Sequence, residues 1–401
     1  MALTPVAKAR GAIIKSARTL PSENVPLKDA AGRILARDIK SKRHQPPFDA
    51  SAMDGYAVRA EDVATAPATL KIIGEAPAGK AFRGIVKKGQ AVRIFTGAPL
   101  PKGADTVVIQ ENCDRDEEFV TVNEPAQAQA YVRPRGLDFA AGEVLLEAGS
   151  RLSARQVGLA AAMNHATLPV RRRPKVALLA TGDELVAPGE KLRADQIISS
   201  NNFALAPFLR GVGAEPADLG IVGDDKRALT RAIKKARGCD ILVTLGGASV
   251  GDHDLVQDAL TTQGMKLTFY RIAMRPGKPL MYGKLDSMHV LGLPGNPVSA
   301  LVCARIFLKA LIDKMLGLET DEEAPSTARL ATTLPENDRR QDYLRATLAQ
   351  GKDGGLVANA FPKQDSSMLR TLTSADCLII RPPFAPAAKA GETVQILLLD
   401  F

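Results

Sequence analysis

Residues 241–254, ILVTLGGASVGDHD, contain the pattern that decides the fold: an apolar, strand-like run ends in a glycine-rich turn, and helical periodicity follows it. Three further apolar runs end in polar, glycine-containing turns, namely VALLA at 176–180, LGIV at 219–222 and VLGL at 290–293. The stretches between the runs are amphipathic, with apolar stripes formed by Ala228, Leu229, Ala232, Ile233 and Ala236 and by Leu255, Val256, Ala259 and Leu260. Strands alternating with helices predict a central doubly wound parallel sheet, whose ligands bind beyond the carboxyl ends of the strands.

The glycine-rich turn at 246–254 is typical of a phosphate-binding site. Gly246, Gly247 and Gly251 can adopt backbone angles that let peptide N–H groups approach an anion. Asp252 and Asp254 would repel that anion unless a divalent cation such as Mg²⁺ lay between them, so the pattern favours a metal–diphosphate site. A plain strand-to-helix turn with a capping aspartate fits the glycines equally well.

Acidic and amide side chains also follow the other predicted strands. Glu184, Asp224 and Asp254 each fall at a strand end, and we expect them to converge at one edge of the sheet. Asn296 precedes Pro297, a pairing that predicts a helix start after the last strand. Taken singly, each of these residues could be no more than a helix cap.

Composition excludes several classes of protein. The 401 residues carry a formal charge of +9, but aromatic residues make up 4% and Trp is absent, so we expect an anionic small substrate and no nucleic acid. The four cysteines form no CxxC pair, which argues against structural zinc and a disulfide framework. No secretory signal is visible, and Arg305 and Lys309 interrupt the apolar helix after 297; we expect a cytoplasmic protein with no membrane segment.

Changes in the pattern of helix-like and strand-like residues divide the chain into four parts. Residues 1–45 and 151–172 are predicted to form a helical N-terminal module, into which a β-rich module at 46–150 is inserted. Residues 173–320 form the α/β domain, and the short strands of 321–401 predict a small C-terminal β-barrel. The predicted fold class is therefore multi-domain α/β plus β.

A series of motifs in order along the chain identifies a family resemblance. The motifs are SAMDGYAVR at 51–59, TGAPLP at 96–101, RPRGLD at 133–138, TGDEL at 181–185, GGASVGDHD at 246–254, RPGKP at 275–279 and GLPGNPVSA at 292–300. The series resembles the molybdopterin molybdenumtransferase family, MoeA and the E domain of gephyrin, over nearly the whole chain. The glycine-rich block also occurs in the related molybdopterin adenylyltransferases, but SAMDGYAVR and the C-terminal β domain favour the enzyme that inserts molybdenum.

The resemblance implies a reaction in which adenylylated molybdopterin and molybdate, assisted by Mg²⁺, give molybdenum cofactor and AMP. It implies a homodimer that could also meet the molybdopterin adenylyltransferase and client apoenzymes. Catalytic roles are implied for Asp54, Thr96, Asp138, Glu184, Asp224 and Asp254, with the metal on Glu184 and Asp254. Substrate contacts are implied for Gly246, Gly247, Ser249, Gly251, Arg271, Arg275, Lys278, Pro294, Gly295, Asn296, Ser299, Arg345 and Ser366. Asp54, Thr96 and Asp138 lie far upstream, which suggests a site between domains or between subunits.

The chain departs from the family pattern at three positions. Arg271 and Arg275 stand where relatives commonly carry lysine, and Ser199 stands where an aspartate is common. Because a planar guanidinium and a compact ammonium bind oxyanions differently, these changes leave the preference for molybdate or tungstate open. Two other functions remain as alternatives, a non-catalytic molybdopterin-binding scaffold and a molybdopterin adenylyltransferase.

Overall fold

The computed structural model describes residues 3–246, 255–320 and 326–399. Its α-helices are α1 Val6–Ser16, α2 Ala154–Ala162, α3 Asn201–Gly211, α4 Lys226–Lys235, α5 Leu255–Thr262, α6 Pro297–Cys303, α7 Lys309–Leu316 and α8 Leu369–Thr373. A π-helical turn, Ala304–Leu308, joins α6 to α7, and short 3₁₀ turns lie at Leu27–Asp29, Ala60–Val63 and Gln110–Asn112.

The strands, in chain order, fall into three stretches. The first has β1 Ser22–Pro26, β2 Ile39–Lys40, β3 Ala50–Ser51, β4 Gly55–Val58, β5 Ala68–Ala76, β6 Gln90–Ile94, β7 Thr106–Ile109, β8 Cys113–Arg115, β9 Phe119–Val122, β10 Val132–Arg133 and β11 Val144–Leu146. The second has β12 Thr167–Arg171, β13 Lys175–Thr181, β14 Leu185–Val186, β15 Ile197–Ile198, β16 Glu215–Val222, β17 Ile241–Leu245, β18 Lys266–Tyr270, β19 Met274–Arg275, β20 Met281–Leu285 and β21 Met288–Leu293. The third has β22 Ser326–Leu330, β23 Gln341–Gln350, β24 Leu356–Ala360, β25 Cys377–Arg381 and β26 Thr393–Leu398.

The chain forms two compact units, Met1–Glu23 with Arg171–Phe401 and Asn24–Val170. Residues 1–45 are less helical than the predicted helical module, since α1 covers only Val6–Ser16 and is followed by strands and a 3₁₀ turn. Proline residues explain the difference: Pro21 and Pro26 lack a backbone N–H and cannot continue a helix.

The first unit is built on a six-stranded sheet with the order β16-β13-β17-β21-β20-β18. The four apolar runs that predicted strands are β13, β16, β17 and β21, and they pair in parallel as expected. Strands β18 and β20 extend the sheet in antiparallel fashion beside β21. Because all four parallel strands point the same way, their carboxyl ends share one edge.

Helices cover both faces of this sheet. Ala177 and Leu179 of β13 pack with the apolar stripes of α4 and α5, which form one buried cluster. The alternate residues of the same strand, Leu178 and Ala180, are equally buried. They face the other way, where α3 contacts β13 and α6. The sheet is therefore doubly wound, as predicted.

Residues 326–398 close into a five-stranded barrel. The strands pair in the order β23-β24-β22-β26-β25, and β25 pairs again with β23, which completes the circle. The short strand β19, from the α/β part of the chain, adds to this barrel by parallel pairing with β23. That pairing sets Arg275 opposite Asp342, and it ties the loop after β18 to the barrel.

The second unit holds a six-stranded sheet of its own, with the order β7-β4-β6-β5-β9-β8. Two apolar clusters fill its two sides, one around Tyr56 and Val120 and the other around Val92 and Val107. A third cluster, which includes Leu35 and Leu168, lies around α2. Among the described residues, no helix is long and apolar enough to cross a membrane.

Candidate active site

A cavity of about 960 Å³ opens in the first unit at the carboxyl ends of β13, β17 and β21. Its walls come from those strand ends, from the segment around β14, β15 and the start of α3, from residues 274–279, and from the barrel loop at 364–367. Nine of the residues implicated by sequence line it: Glu184, Gly246, Arg275, Lys278, Pro294, Gly295, Asn296, Ser299 and Ser366. We call this space the central cavity.

Gly246 follows β17 and lies at the floor of the central cavity. Its backbone conformation explains why a glycine occupies this position. Its φ is +93°, a left-handed conformation that L side chains rarely adopt. A Cβ atom at this position would lie 2.5 Å from the backbone oxygen of Thr181, at the end of the neighbouring strand β13. Only glycine therefore lets the two strand ends approach this closely.

Asn296 and Ser366 join the α/β part to the barrel loop across the cavity. Asn296 precedes α6 and has Pro297 at the first helical position, as predicted, but its side chain makes no capping hydrogen bond. Instead Nδ2 of Asn296 donates to Oγ of Ser366 at 2.8 Å, and the N–H of Val298 donates to the Ser366 carbonyl at 3.2 Å. On the opposite wall, Nδ2 of Asn201 donates to the carbonyl of Gly295 at 2.7 Å.

Three carboxylates gather next to the cavity at the turns after β13 and β16. The N–H of Asp224 donates to Oδ1 of Asp183 at 3.0 Å. Burial, followed by the negative charges of Asp183 and Glu184, raises the pKa of Asp224. The raised pKa means that the charge of Asp224 is disfavoured at this place by burial and by its two acidic neighbours.

The cations of the cavity differ in how far they are neutralised. Arg275 donates from Nε and Nη2 to the two carboxylate oxygens of Asp342, at 2.8 and 2.5 Å. Lys278 lines the cavity with no hydrogen-bond or ion-pair partner for its ammonium group among the described residues. The ammonium of Lys278 is therefore available to an anionic ligand.

Two of the arginines implied as substrate contacts, Arg345 and Arg271, are absent from the wall of the cavity. Arg345 is 1% exposed, and its guanidinium donates to Oε1 of Gln364 at 3.1 Å and to the carbonyl of Asp365 at 2.9 Å. These bonds hold the barrel loop at 364–367 in place. Nη2 of Arg345 is buried and has no partner within the described part of the chain. Arg271 has a φ of +87° and lies 5.6 Å from the ring centroid of Tyr270, with a buried Nε that is likewise unpartnered there.

The structure places Asp54, Thr96 and Asp138 in the second unit. Oδ1 of Asp54 accepts hydrogen bonds from both the N–H and the hydroxyl of Thr96, each at 2.7 Å. These two bonds lower the pKa of Asp54, so its carboxylate stays ionised. Asp138 donates its N–H to the carbonyl of Gln45 at 2.9 Å.

Most of the glycine-rich turn lies outside the described residues. This holds for Gly247, Ser249, Gly251, Asp252 and Asp254, so their predicted roles in phosphate and metal binding remain predictions. Within the ranges 3–246, 255–320 and 326–399, no group of three or more His, Cys, Asp or Glu side chains is arranged to hold a metal ion.

Sequence reasoning missed several residues of the cavity wall. Arg340, Gln364 and Asp365 come from the barrel, which is joined to the α/β part by the pairing of β23 with β19 and by the hydrogen bonds of Ser366. Ser199 and Asn201 come from the turn into α3. Ser199 was noticed only as a departure from the family pattern, and no motif marks the others, since their relevance follows from contacts between distant segments.

Three family models match the chain in succession. They are described as MoeA N-terminal region (domain I and II), over residues 4–164, Probable molybdopterin binding domain, over 177–314, and MoeA C-terminal region (domain IV), over 327–399. Together with the doubly wound sheet and the barrel, they define the class of the protein as MoeA-like, with a probable molybdopterin binding domain between the two MoeA regions.

Similar proteins identify the family within that class. A molybdopterin molybdenumtransferase of Nostoc sp. is 37% identical over 94% of this chain and 89% of its own, and one of Haemophilus influenzae is 35% identical over 94% and 93%. A crystal structure of a molybdopterin biosynthesis MoeA protein from Pyrococcus horikoshii superposes with a TM-score of 0.86 at 32% identity, covering 100% of both chains. The chain belongs to the molybdopterin molybdenumtransferase family.

Proposed function

We propose that this protein inserts molybdenum into adenylylated molybdopterin, using molybdate and Mg²⁺ and releasing AMP. The observation that carries the proposal is that cations and a carboxylate line the same central cavity, namely Lys278, Arg275 and Glu184. A substrate with phosphate groups and a tetrahedral oxyanion needs fixed cations and hydrogen-bond donors, and a site that cleaves a diphosphate also needs charge neutralisation. The family relatives are named molybdopterin molybdenumtransferase, which supports the insertion of molybdenum.

In this proposal, four residues of the cavity wall contact the substrate and one residue outside the wall supports them. Lys278 contacts an anionic group as a point charge, whereas Arg275 offers a planar fork. The donor groups of Asn296 and Ser366, already joined by a hydrogen bond, bind the nucleotide or a neighbouring oxyanion. Arg345 acts indirectly, because its hydrogen bond to the Asp365 carbonyl holds the loop that carries Ser366.

The carboxylates beside the cavity fit Mg²⁺ in their chemistry. Mg²⁺ takes oxygen ligands and is commonly held by one or two carboxylates together with substrate phosphates. Burial, followed by the negative charges of Asp183 and Glu184, raises the pKa of Asp224. Glu184, with Asp254 from the glycine-rich turn, would hold the ion, which would supply charge neutralisation at the diphosphate oxygens when bound.

The test is to incubate the purified protein with adenylylated molybdopterin and Mg²⁺, with and without molybdate. AMP release that requires molybdate, together with reconstitution of a molybdenum-dependent apoenzyme, is the expected result. Tight pterin binding without turnover would favour the scaffold instead, and ATP consumption with pyrophosphate release would favour the adenylyltransferase.

A pair of matched variants ties the activity to the cavity. Lys278→Met should abolish molybdate-dependent AMP release, because it removes the unpartnered cation of the cavity wall. Lys389→Met, at an exposed position in the barrel, removes the same charge away from the cavity and should leave turnover unchanged. Equal activity of the two variants would contradict the assignment.

The proposal extends to the second unit and to assembly. Asp54→Asn keeps the size of the side chain and removes its charge, and we expect slower turnover with unchanged melting. The homodimer is tested by analytical ultracentrifugation, where a monomer at micromolar concentration would refute it.

A further inference from the structure

Four side chains at the rim of the central cavity alternate in charge. They are Asp342, Arg275, Asp338 and Arg340, and we call them the rim quartet. Strand pairing explains the first contact, because β19 runs parallel to β23 with Arg275 opposite Asp342. The guanidinium of Arg275 then meets Asp342 through two parallel hydrogen bonds, a geometry that fixes the plane of the group.

Asp338 stands between the two arginines. Its Oδ2 accepts from Nη2 of Arg340 at 2.9 Å and lies 3.8 Å from Nη1 of Arg275. Its Oδ1 accepts the N–H of Arg340 at 2.8 Å. Hydrogen bonds from Arg340, with the charges of Arg340 and Arg275, lower the pKa of Asp338 to about 2.

The two aspartates of the quartet differ in exposure. The Asp342 side chain is 6% exposed and that of Asp338 is 44% exposed, while both arginines line the cavity. The backbone of Asp338 is also anchored, since its carbonyl accepts the N–H of Phe384 at 2.8 Å. A rotation of the Asp338 side chain alone would therefore free Nη1 of Arg275 and Nη2 of Arg340, with no movement of the main chain, while Asp342 keeps its two bonds to Arg275.

We propose that Asp338 is an internal anion that competes with oxyanion or phosphate ligands for Arg275 and Arg340, and so sets the anion affinity of this site. Asp342 is the positioning residue: it binds Nε and Nη2 of Arg275 and so fixes the plane of the guanidinium, which leaves Nη1 next to Asp338. The inference rests on the proposed function for the identity of the ligand, but the quartet is defined by contacts alone.

The chemistry of the groups supports this exchange. A carboxylate and a tetrahedral oxyanion both accept paired hydrogen bonds from guanidinium groups, so they compete for the same donors. A dianion brings a second charge and replaces the monoanionic carboxylate at little cost where the carboxylate is exposed to water. A lysine at position 275 could not bind Asp342 bidentately, so this device depends on the arginine of this chain.

The experiment measures binding of molybdate alone by isothermal titration calorimetry, at pH 7 and constant ionic strength, with inorganic phosphate as a second probe. Asp338→Asn keeps an oxygen for the N–H of Arg340 and removes the competing charge. We expect molybdate to bind about tenfold tighter, because a unit charge is removed within a few ångströms of a dianion at an exposed site. Asp342→Asn should weaken binding, and its melting curve shows whether the barrel stays folded.

Asp353→Asn is the matched control. Asp353 is an exposed aspartate of the same barrel that pairs with Arg329 at 2.5 Å, away from the cavity. Unchanged molybdate affinity in this control, with tighter binding in Asp338→Asn, is the expected result. Equal affinity in the two variants, weaker binding in Asp338→Asn, or the absence of binding in both would overturn the inference.

The result is separable from the proposed function. Failure of the inference leaves molybdate-dependent AMP release by the unaltered protein intact, since that assay does not depend on Asp338 being a competitor. Failure of the proposed function would appear as absent AMP release, whereas the change in molybdate affinity at the quartet would persist.

Discussion

Replacing Gly246 by alanine should disrupt the floor of the central cavity. Gly246 ends β17 with a φ of +93°, and an added Cβ would lie 2.5 Å from the backbone oxygen of Thr181. Thr181 ends the neighbouring strand β13, so neither the methyl group nor the oxygen belongs to a flexible side chain that could move aside.

The cost can be worked from these two features. A left-handed conformation costs an L-residue about 1–2 kcal/mol. Relief of the overlap requires the strand ends to separate by about 1 Å to reach ordinary contact, and overpacking of this kind costs about 1–3 kcal/mol. The sum, about 2–5 kcal/mol, corresponds to a fall in melting temperature of roughly 5–15 °C for a unit of this size. A displacement of about 1 Å in an active site also costs on the order of 10²-fold in turnover.

The assay is thermal melting followed by circular dichroism, because the chain has no Trp for fluorescence. Gly295→Ala is the control, since its added Cβ would meet its nearest atom, the Cα of Gly246, at an ordinary 3.6 Å. We expect Gly295→Ala to melt within about 1 °C of the unaltered protein. If Gly246→Ala melted at the same temperature as Gly295→Ala, the argument from backbone conformation and close approach would be refuted.

Three further predictions follow from single contacts and from pKa shifts. Asn296→Ala and Ser366→Ala should each slow molybdate-dependent AMP release about fivefold, and the double variant should be no slower than either, because both changes remove the same 2.8 Å hydrogen bond. Asp224 has a folded pKa above its unfolded value, so its charge destabilises the fold at neutral pH, and stability is regained as pH falls through the folded pKa. Asp224→Asn should therefore melt higher at pH 7, measured by scanning calorimetry. Burial lowers the pKa of His289 from 6.5 to about 4, so its contribution to stability is lost as pH falls through that interval; His289→Asn should flatten the dependence of melting temperature on pH between these values.

The sheet could be predicted from sequence because its signal is local. Each of the four parallel strands is an apolar run followed by a glycine-containing turn, and Ile241–Leu245 is buried at every position. The antiparallel strands Lys266–Tyr270 and Met281–Leu285 give no comparable signal, since the first is largely exposed and the second contains Gly283 and Lys284. Their place in the sheet is set by pairing rather than by their own composition: Met281–Leu285 pairs with β21, and Lys266–Tyr270 pairs with Met281–Leu285.

The site was predictable only where its residues sit at strand ends. Gly246 and Asn296 follow apolar runs. Parallel strands bring residues at their carboxyl ends to one edge of the sheet, independently of the other segments of the chain. The partners that determine how these residues behave are distant in sequence: Asp342 lies 67 positions after Arg275, and Ser366 lies 70 after Asn296. Counting charges along the chain therefore finds Arg275 as a cation but misses that Asp342 and Asp338 already face it. The availability of positive charge in this cavity depends on the pairing of β19 with β23, which no local pattern in either segment encodes.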